Sequence, residues 1–291
     1  MKIKHLLCFI ALCLFFTPGK AQQLSVMTLR NGATVYIWED KSKPDVFGMI
    51  AFKVGSVDDP EQYTGLAHYL EHVMFKGTQT IDALDWEKEK PIYEKIIAKY
   101  DERAALSDPA AREAVDKEIN DLTREAAQYA AGNEFSLLVD HMGGQGLNAS
   151  TGYDQTEYHN SFPPSQLEKW LEIYSERLID PVFRGFQTEL EAVYEEYNMY
   201  NDDRGSRMRE FIYEQAFGDH PYARPIIGLP EHLKNPQLSK LIDFYNTWYG
   251  PQNMSIILVG NIDAKEAIPM IRDKFERVPR RAEIHLSLIH I

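Results

Sequence analysis

Residues 65–78 read GLAHYLEHVMFKGT, and this stretch decides how the whole chain is read. No glycine or proline interrupts it between Gly65 and Gly77, so Thr64–Lys76 is expected to be one helix ended by Gly77. At about 100° per residue, Leu66, Leu70, Val73 and Met74 share one arc, and His68, Glu71, His72 and Phe75 share the opposite one. The helix therefore carries an ordinary core-facing stripe and, against it, two imidazoles and a carboxylate. Histidines at i and i+4 lie one turn apart, close enough to bind the same metal ion. A glutamate between them can take a proton from water on that metal. The order is HxxEH, the inverse of the commoner HExxH zinc helix. Ordinary surface histidines would give the same five letters. The metal reading gains from the polar arc lying opposite an apolar one, and from an acid further along that can complete the site.

That acid has to be sought without cysteine. Cys8 and Cys13 both fall in the first 21 residues, which read as a removable leader, so the remainder has no thiolate and no disulfide. Residues 188–201, TELEAVYEEYNMYN, read as a helix. Wound at 100° per residue, Glu191, Glu195 and Asn198 gather on one side, and Leu190, Val193, Tyr194, Tyr197 and Tyr200 on the other. Glu189 and Glu196, seven apart, fall inside or beside the apolar arc. A buried carboxylate is costly unless paired or bound to metal, so either could complete a His₂Glu set with a fourth position open to water. The wheel does not choose between them, and salt-bridged packing is the alternative for both.

Outward from these helices, strands and helices interleave. Leu24–Glu39 reads as two strands around the turn Arg30-Asn31-Gly32, Val46–Val57 as a third, and Gly143–Phe162 as a further strand pair. Pro164–Asp180, Arg207–Phe217 and Gln237–Tyr249 read as helices, Met254–Gly260 as a buried strand, and Asp263–Phe275 as a helix. The expected class is α+β: an α/β sandwich whose mostly antiparallel sheet packs against helices. Residues 82–134 differ in texture, with 14 acids and 8 bases in 53 residues, and are expected to form a solvated helical insertion. The expected division is a signal peptide over 1–21, a catalytic domain over 22–280 containing that insertion, and a tail over 281–291. The last residues, HLSLIHI, continue no pattern and look non-native.

At the amino terminus two lysines precede the apolar run Leu6–Phe16, which ends in Thr17-Pro18-Gly19-Lys20-Ala21. An eleven-residue run is too short for a bilayer, which needs about 20 residues, and has the length of a signal-peptide core. Export, most simply to the periplasm, with no stable membrane insertion afterwards, is the expectation. The net charge of −13 becomes three units more negative once Lys2, Lys4 and Lys20 leave, which excludes nucleic acid as a partner.

Taken in series, the motifs resemble the amino-terminal catalytic domain of the pitrilysin/insulinase family of zinc metallopeptidases. GLAHYLEHVMFKGT resembles the family's HxxEH helix, and GGQGLNAST (143–151) the strand that follows it. ELEAVYEEYNMYNDD (189–203) resembles the helix of the third ligand, and HPYARPIIG (220–228) and YGPQNMSIILVGNID (249–263) later landmarks. The resemblance implies Zn²⁺ held by His68, His72 and Glu196, with Glu71 as general base and Glu189 as a supporting acid. It implies that Asn148 and Ala149 lie on an edge strand that pairs with an extended peptide substrate, and that a second homologous domain or subunit completes the chamber. The implied activity is endopeptidase cleavage of peptides or unfolded segments, with this truncated chain alone expected to cleave poorly. The competing readings are a non-catalytic scaffold and a peptidase half active only with a partner. Two features depart from the family. 123 residues separate His72 from Glu196 where about 75 is usual, an excess that falls in 82–134, and Leu190 stands where an arginine is typical. His141, His159, His220 and His232 read as packing or surface residues.

Overall fold

The computed structural model describes residues 23–281. The expected leader, both cysteines and all but the first residue of the expected tail lie outside these residues. In chain order the strands are β1 (Gln23–Thr28), β2 (Thr34–Glu39), β3 (Val46–Phe52), β4 (Gln145–Thr151), β5 (Thr156–Phe162) and β6 (Met254–Gly260). The helices are α1 (Leu66–Val73), α2 (Trp86–Ala105), α3 (Pro109–Ala126), α4 (Glu134–His141), α5 (Leu167–Glu176), α6 (Phe186–Asp202), α7 (Arg204–Phe217), α8 (Pro230–Leu233), α9 (Leu238–Trp248) and α10 (Ala264–Phe275).

The strands form one sheet in the order β1-β2-β6-β3-β5-β4. All neighbours are antiparallel except β2 and β6, which run parallel because β6 returns from the far end of the chain into the middle of the sheet. Burial alternates along β3, β5 and β6, with Ile50, Phe52, Tyr158, Phe162, Ile256 and Leu258 on the covered face. A period of two with one face covered is how a sheet packs against a helical layer. Trp170 of α5 shows how tight that layer is. Its ring stacks on Phe162 and Tyr174, and a Cβ at Gly48 of β3 would come within 2.5 Å of it. Only glycine fits at that position of the strand.

The third strand ends at Phe52, short of the expected Val57, because the chain then turns away to pair with the β4–β5 loop, Ser56 N–H donating to the Gly152 carbonyl. Residues 86–126 form a helical hairpin. Asp85 and Asp108 cap its two helices, accepting from the Lys88 and Ala111 amides. Its ends are tied together, since the Asp82 amide donates to Glu134 Oε2 at 2.5 Å and the Glu134 amide to Asp82 Oδ1 at 2.8 Å. The hairpin is not solvated all round. Ile92, Ile96 and Tyr100 of α2, with Val115 and Ile119 of α3, are buried in the main core. Their spacing of four is a helical stripe that the charged composition conceals. Among the described residues, no helix is long and apolar enough to cross a membrane.

Candidate metal centre

The helix α1 is fixed at both ends by residues outside it. Its N-cap, Gly65, has φ +88° and no side chain to offer, and a Cβ there would meet the Ile227 carbonyl at 2.5 Å. Asp59, only 4% exposed, caps instead, accepting from the Gly65 and Ala67 amides at 2.7 and 2.9 Å. Burial pushes the Asp59 carboxyl up to about 7 against the pull of those two amides. At the other end Arg177 donates to the Met74 carbonyl at 3.0 Å. Its guanidinium lies among the rings of Phe75, Phe135, Tyr158 and Tyr174, with centroids 4.4 to 5.5 Å away.

So held, α1 presents His68 and His72 to α6. The rings are 4.9 Å apart, and His68 Nε2 and His72 Nε2 lie 3.6 and 3.5 Å from the same oxygen, Glu196 Oε2. One ligand atom from each of the three lies within 4.8 Å of the others. Zinc bonds of about 2.0–2.1 Å give a tetrahedral edge near 3.4 Å, which the two His–Glu separations approach. A nitrogen and oxygen set without sulfur suits Zn²⁺. Glu189, one of the two acids that the helical wheel left open, sits behind the cluster. Its Oε2 is 3.5 Å from His72 Nδ1, and its Oε1 is 2.5 Å from Lys76 Nζ. Both acids are half-buried, whereas Glu191 and Glu195 are exposed. Glu71 points elsewhere, its Oε2 accepting from Thr151 Oγ1 at 2.6 Å.

The environment separates the two imidazoles. Burial, reinforced by His72, pulls His68 down to about 4. Burial acts the same way on His72, but bonds to Glu189 and Glu196 outweigh it and carry the ring up to about 9. The bond to His72 holds both Glu189 and Glu196 below the usual carboxylate range. Burial raises Glu71, opposed by the Thr151 hydroxyl and by His72. His68 Nδ1 is buried without a hydrogen-bond partner among the described residues.

A cleft of about 420 Å³ opens beside the cluster. His68, Glu71 and Glu196 form one wall and Ala149, Ser150 and Thr151 of β4 another, with Tyr200, Arg209 and Ile227 among the other lining residues. Strand β4 is the last in the sheet, so one of its edges is unpaired within it. Ala149 thus reaches the cleft; Asn148 is exposed and does not line it. Thr151, Tyr200 and Arg209 were not singled out from the sequence. Thr151 ends the quoted GGQGLNAST stretch, where nothing distinguishes a hydroxyl that meets Glu71. Tyr200 fell on the apolar arc of its wheel although it is exposed at the cleft. His141, His159, His220 and His232 lie outside the cluster, and two support loops: His232 Nδ1 accepts from the Thr64 amide and His220 Nδ1 from the Tyr222 amide, each at 3.1 Å.

The family model for insulinase (peptidase family M16) matches residues 34–90 and 121–229, skipping a part of the hairpin. That for the M16 inactive domain matches residues 237–289. The chain is 25% identical over 270 residues to the probable zinc protease PqqL of Escherichia coli, covering 89% of this chain and 23% of that protein. It is 24% identical over 254 residues to the zinc protease PqqE of Helicobacter pylori, covering 86% of this chain and 46% of that one. In structure it resembles the first half of the periplasmic protease PqqL from E. coli, with a TM-score of 0.67, 25% identity, and coverage of 91% and 49%. Pitrilysin shares the fold at a TM-score of 0.66 and 22% identity, over 92% of this chain and 24% of that one. The chain therefore spans less than half the length of the curated relatives named here.

Proposed function

Because the chain belongs to the insulinase family of peptidases, we propose that it carries the zinc site of an endopeptidase acting on peptides or unfolded protein segments. The observation that carries this reading is the meeting of His68 Nε2 and His72 Nε2 at Glu196 Oε2, with Glu71 on the same cleft wall. His68, His72 and Glu196 would hold Zn²⁺, and Glu189 would orient His72 through Nδ1. Zinc in that place supplies Lewis acidity, polarising a carbonyl and making water more acidic.

Glu71 is the base. Burial makes its carboxylate a better proton acceptor than an exposed one, and the Thr151 hydroxyl fixes one of its oxygens. It takes the proton of the attacking water and returns it to the leaving amine. The open edge of β4 at Asn148 and Ala149 would align an extended peptide by main-chain hydrogen bonds. A second homologous domain or subunit would grip the rest of the substrate, as the greater length of the relatives suggests. Export to the periplasm accords with the leader-like start and with the periplasmic location of E. coli PqqL.

The test pairs metal analysis with turnover. Purified protein should bind one zinc per chain, and His72→Ala should lose it. Full-length protein should cleave an unfolded peptide, and Glu71→Gln should keep zinc while losing cleavage. Equal zinc in wild type and His72→Ala would sink the site. A second reading, a half-enzyme that turns over only beside its partner, predicts cleavage restored by adding that partner to this chain.

A further inference from the structure

We propose that Lys76 is a positioning residue for the metal centre, and that the α2–α3 hairpin sets where Lys76 stands. The proposal rests on the zinc reading above and concerns what holds Glu189 and His72 in register. Lys76 lies just beyond α1, where the chain turns toward Gly77. Its ammonium binds Glu189 Oε1 at 2.5 Å, leaving Glu189 Oε2 to face His72 Nδ1 at 3.5 Å. With Nδ1 so engaged, Nε2 is the nitrogen left for the metal side. Glu189 alone could rotate away from the ring. A cation on its second oxygen confines its rotamer, which a distance restraint on a long side chain requires.

Both partners of this bridge are anchored to the hairpin. The backbone carbonyl of Lys76 accepts from Arg184 Nη1 at 3.2 Å, and the same nitrogen reaches the Ile81 carbonyl at 3.4 Å. Arg184 is held in turn by a bidentate pair with Glu89 of α2, at 2.6 and 2.7 Å. Glu89 is 1% exposed, so the fork is locked inside the protein. On the Glu189 side, α2 grips the first turn of α6. Tyr100 packs its ring on Phe186 and donates its hydroxyl to Gln187 Oε1 at 3.3 Å, while Tyr93 accepts from the Phe183 amide at 3.3 Å. The exit of α1 and the start of α6 are thus referenced to one element. The series Glu89, Arg184, Lys76, Glu189, His72 runs without a gap from the hairpin to the imidazole.

The test is zinc affinity by competition with a chromogenic chelator, at one pH, on the full chain. Lys76→Met should weaken zinc about 10- to 100-fold, the usual cost of losing an outer partner of a ligand, and Lys76→Arg should recover most of it. Arg184→Lys keeps the charge and loses the fork, and should weaken zinc several-fold. Both losses should vanish in a Glu189→Gln background, because Lys76 acts only through Glu189; a merely structural role would leave them undiminished there. Lys76→Gln serves if the Met variant does not fold. Wild-type affinity in both Lys76→Met and Arg184→Lys would overturn the proposal and leave the zinc site standing. So would a Lys76→Met loss that persists in the Glu189→Gln background. Wild-type affinity in Arg184→Lys alone would overturn the part assigned to the hairpin. A wild-type chain that binds no zinc would overturn the site and this inference together.

Discussion

Helix α1 and the α2–α3 hairpin are both rich in polar side chains, and they place them in opposite ways. In α1 the polar residues converge. His68 and His72 meet a carboxylate from another helix, and Glu71 stands with His68 on the wall of the cleft, all three more than half removed from water. In the hairpin they disperse. Lys99 pairs with Glu102 and Glu118, Lys117 with Glu113, and Arg124 with Asp121, all largely at the surface, where screening leaves ion pairs worth little. Glu89 differs from these, buried against Arg184. A count of charges does not separate these cases. What separates them is whether a charged group points at solvent or at another charged group inside the protein.

The contrast can be broken most directly at Glu71. If α1 gathers chemistry, Glu71→Gln in the full-length protein should lower peptidase turnover by about 10²–10⁴ with zinc unchanged. Steady-state kinetics beside metal analysis checks this, and retained turnover would mean that another group activates the water.

Next in size is the hairpin core. Tyr100→Ala removes a buried ring packed on Phe186 and should cost about 3–5 kcal/mol in a denaturant melt, and Ile119→Ala about 2–5 kcal/mol. Leu70→Ala in α1 should fall in the same range. Hairpin losses below about 1 kcal/mol beside a large Leu70 loss would return the hairpin to a surface excursion.

A third test uses pH. In the metal-free site His72 is held up to about 9, so at neutral pH it carries a proton that zinc must displace. His68, at about 4, is already neutral, and Glu196, held below the ordinary range, is already ionised. Apparent zinc affinity should therefore rise about tenfold per pH unit as pH climbs toward 9, then level off. Chelator competition between about pH 6 and pH 8 gives the slope, and a flat profile would show that zinc displaces no proton from His72 in this range.

The smallest effect belongs to the hairpin's outer face. Lys117→Ala removes an exposed i, i+4 partner of Glu113 and should leave the melting curve unchanged.

Much of the site is legible in the sequence. The HxxEH spacing forces His68, Glu71 and His72 onto one arc of any helix, whatever surrounds it. The same winding placed Glu191 and Glu195 in solvent. It stopped at Glu189 and Glu196, because two residues seven apart share nearly the same arc and differ only in height along the axis. The resemblance favoured Glu196 as ligand, and the structure sets Glu196 against both imidazoles and Glu189 against the far side of one. The two strands and turn of 24–39 and the strand 254–260 were legible from alternation and turn chemistry. The parallel pairing of β2 with β6 was not, since it joins residues more than 200 positions apart. The hairpin's buried stripe was obscured because composition averages over a helix's two faces.

Local chemistry, then, belongs to the sequence: which residues share a helix face, where turns fall, and that cysteine is missing from the chemistry of the chain beyond its first 21 residues. These follow from the repeat of the backbone and need no partner. Convergence belongs to the tertiary structure. Asp59 caps a helix it does not belong to, Arg177 closes the other end, and Lys76 reaches Glu189 across a gap of more than a hundred residues. Each of these contacts exists because packing brought distant stretches of backbone together and set polar groups against one another where water reaches them less.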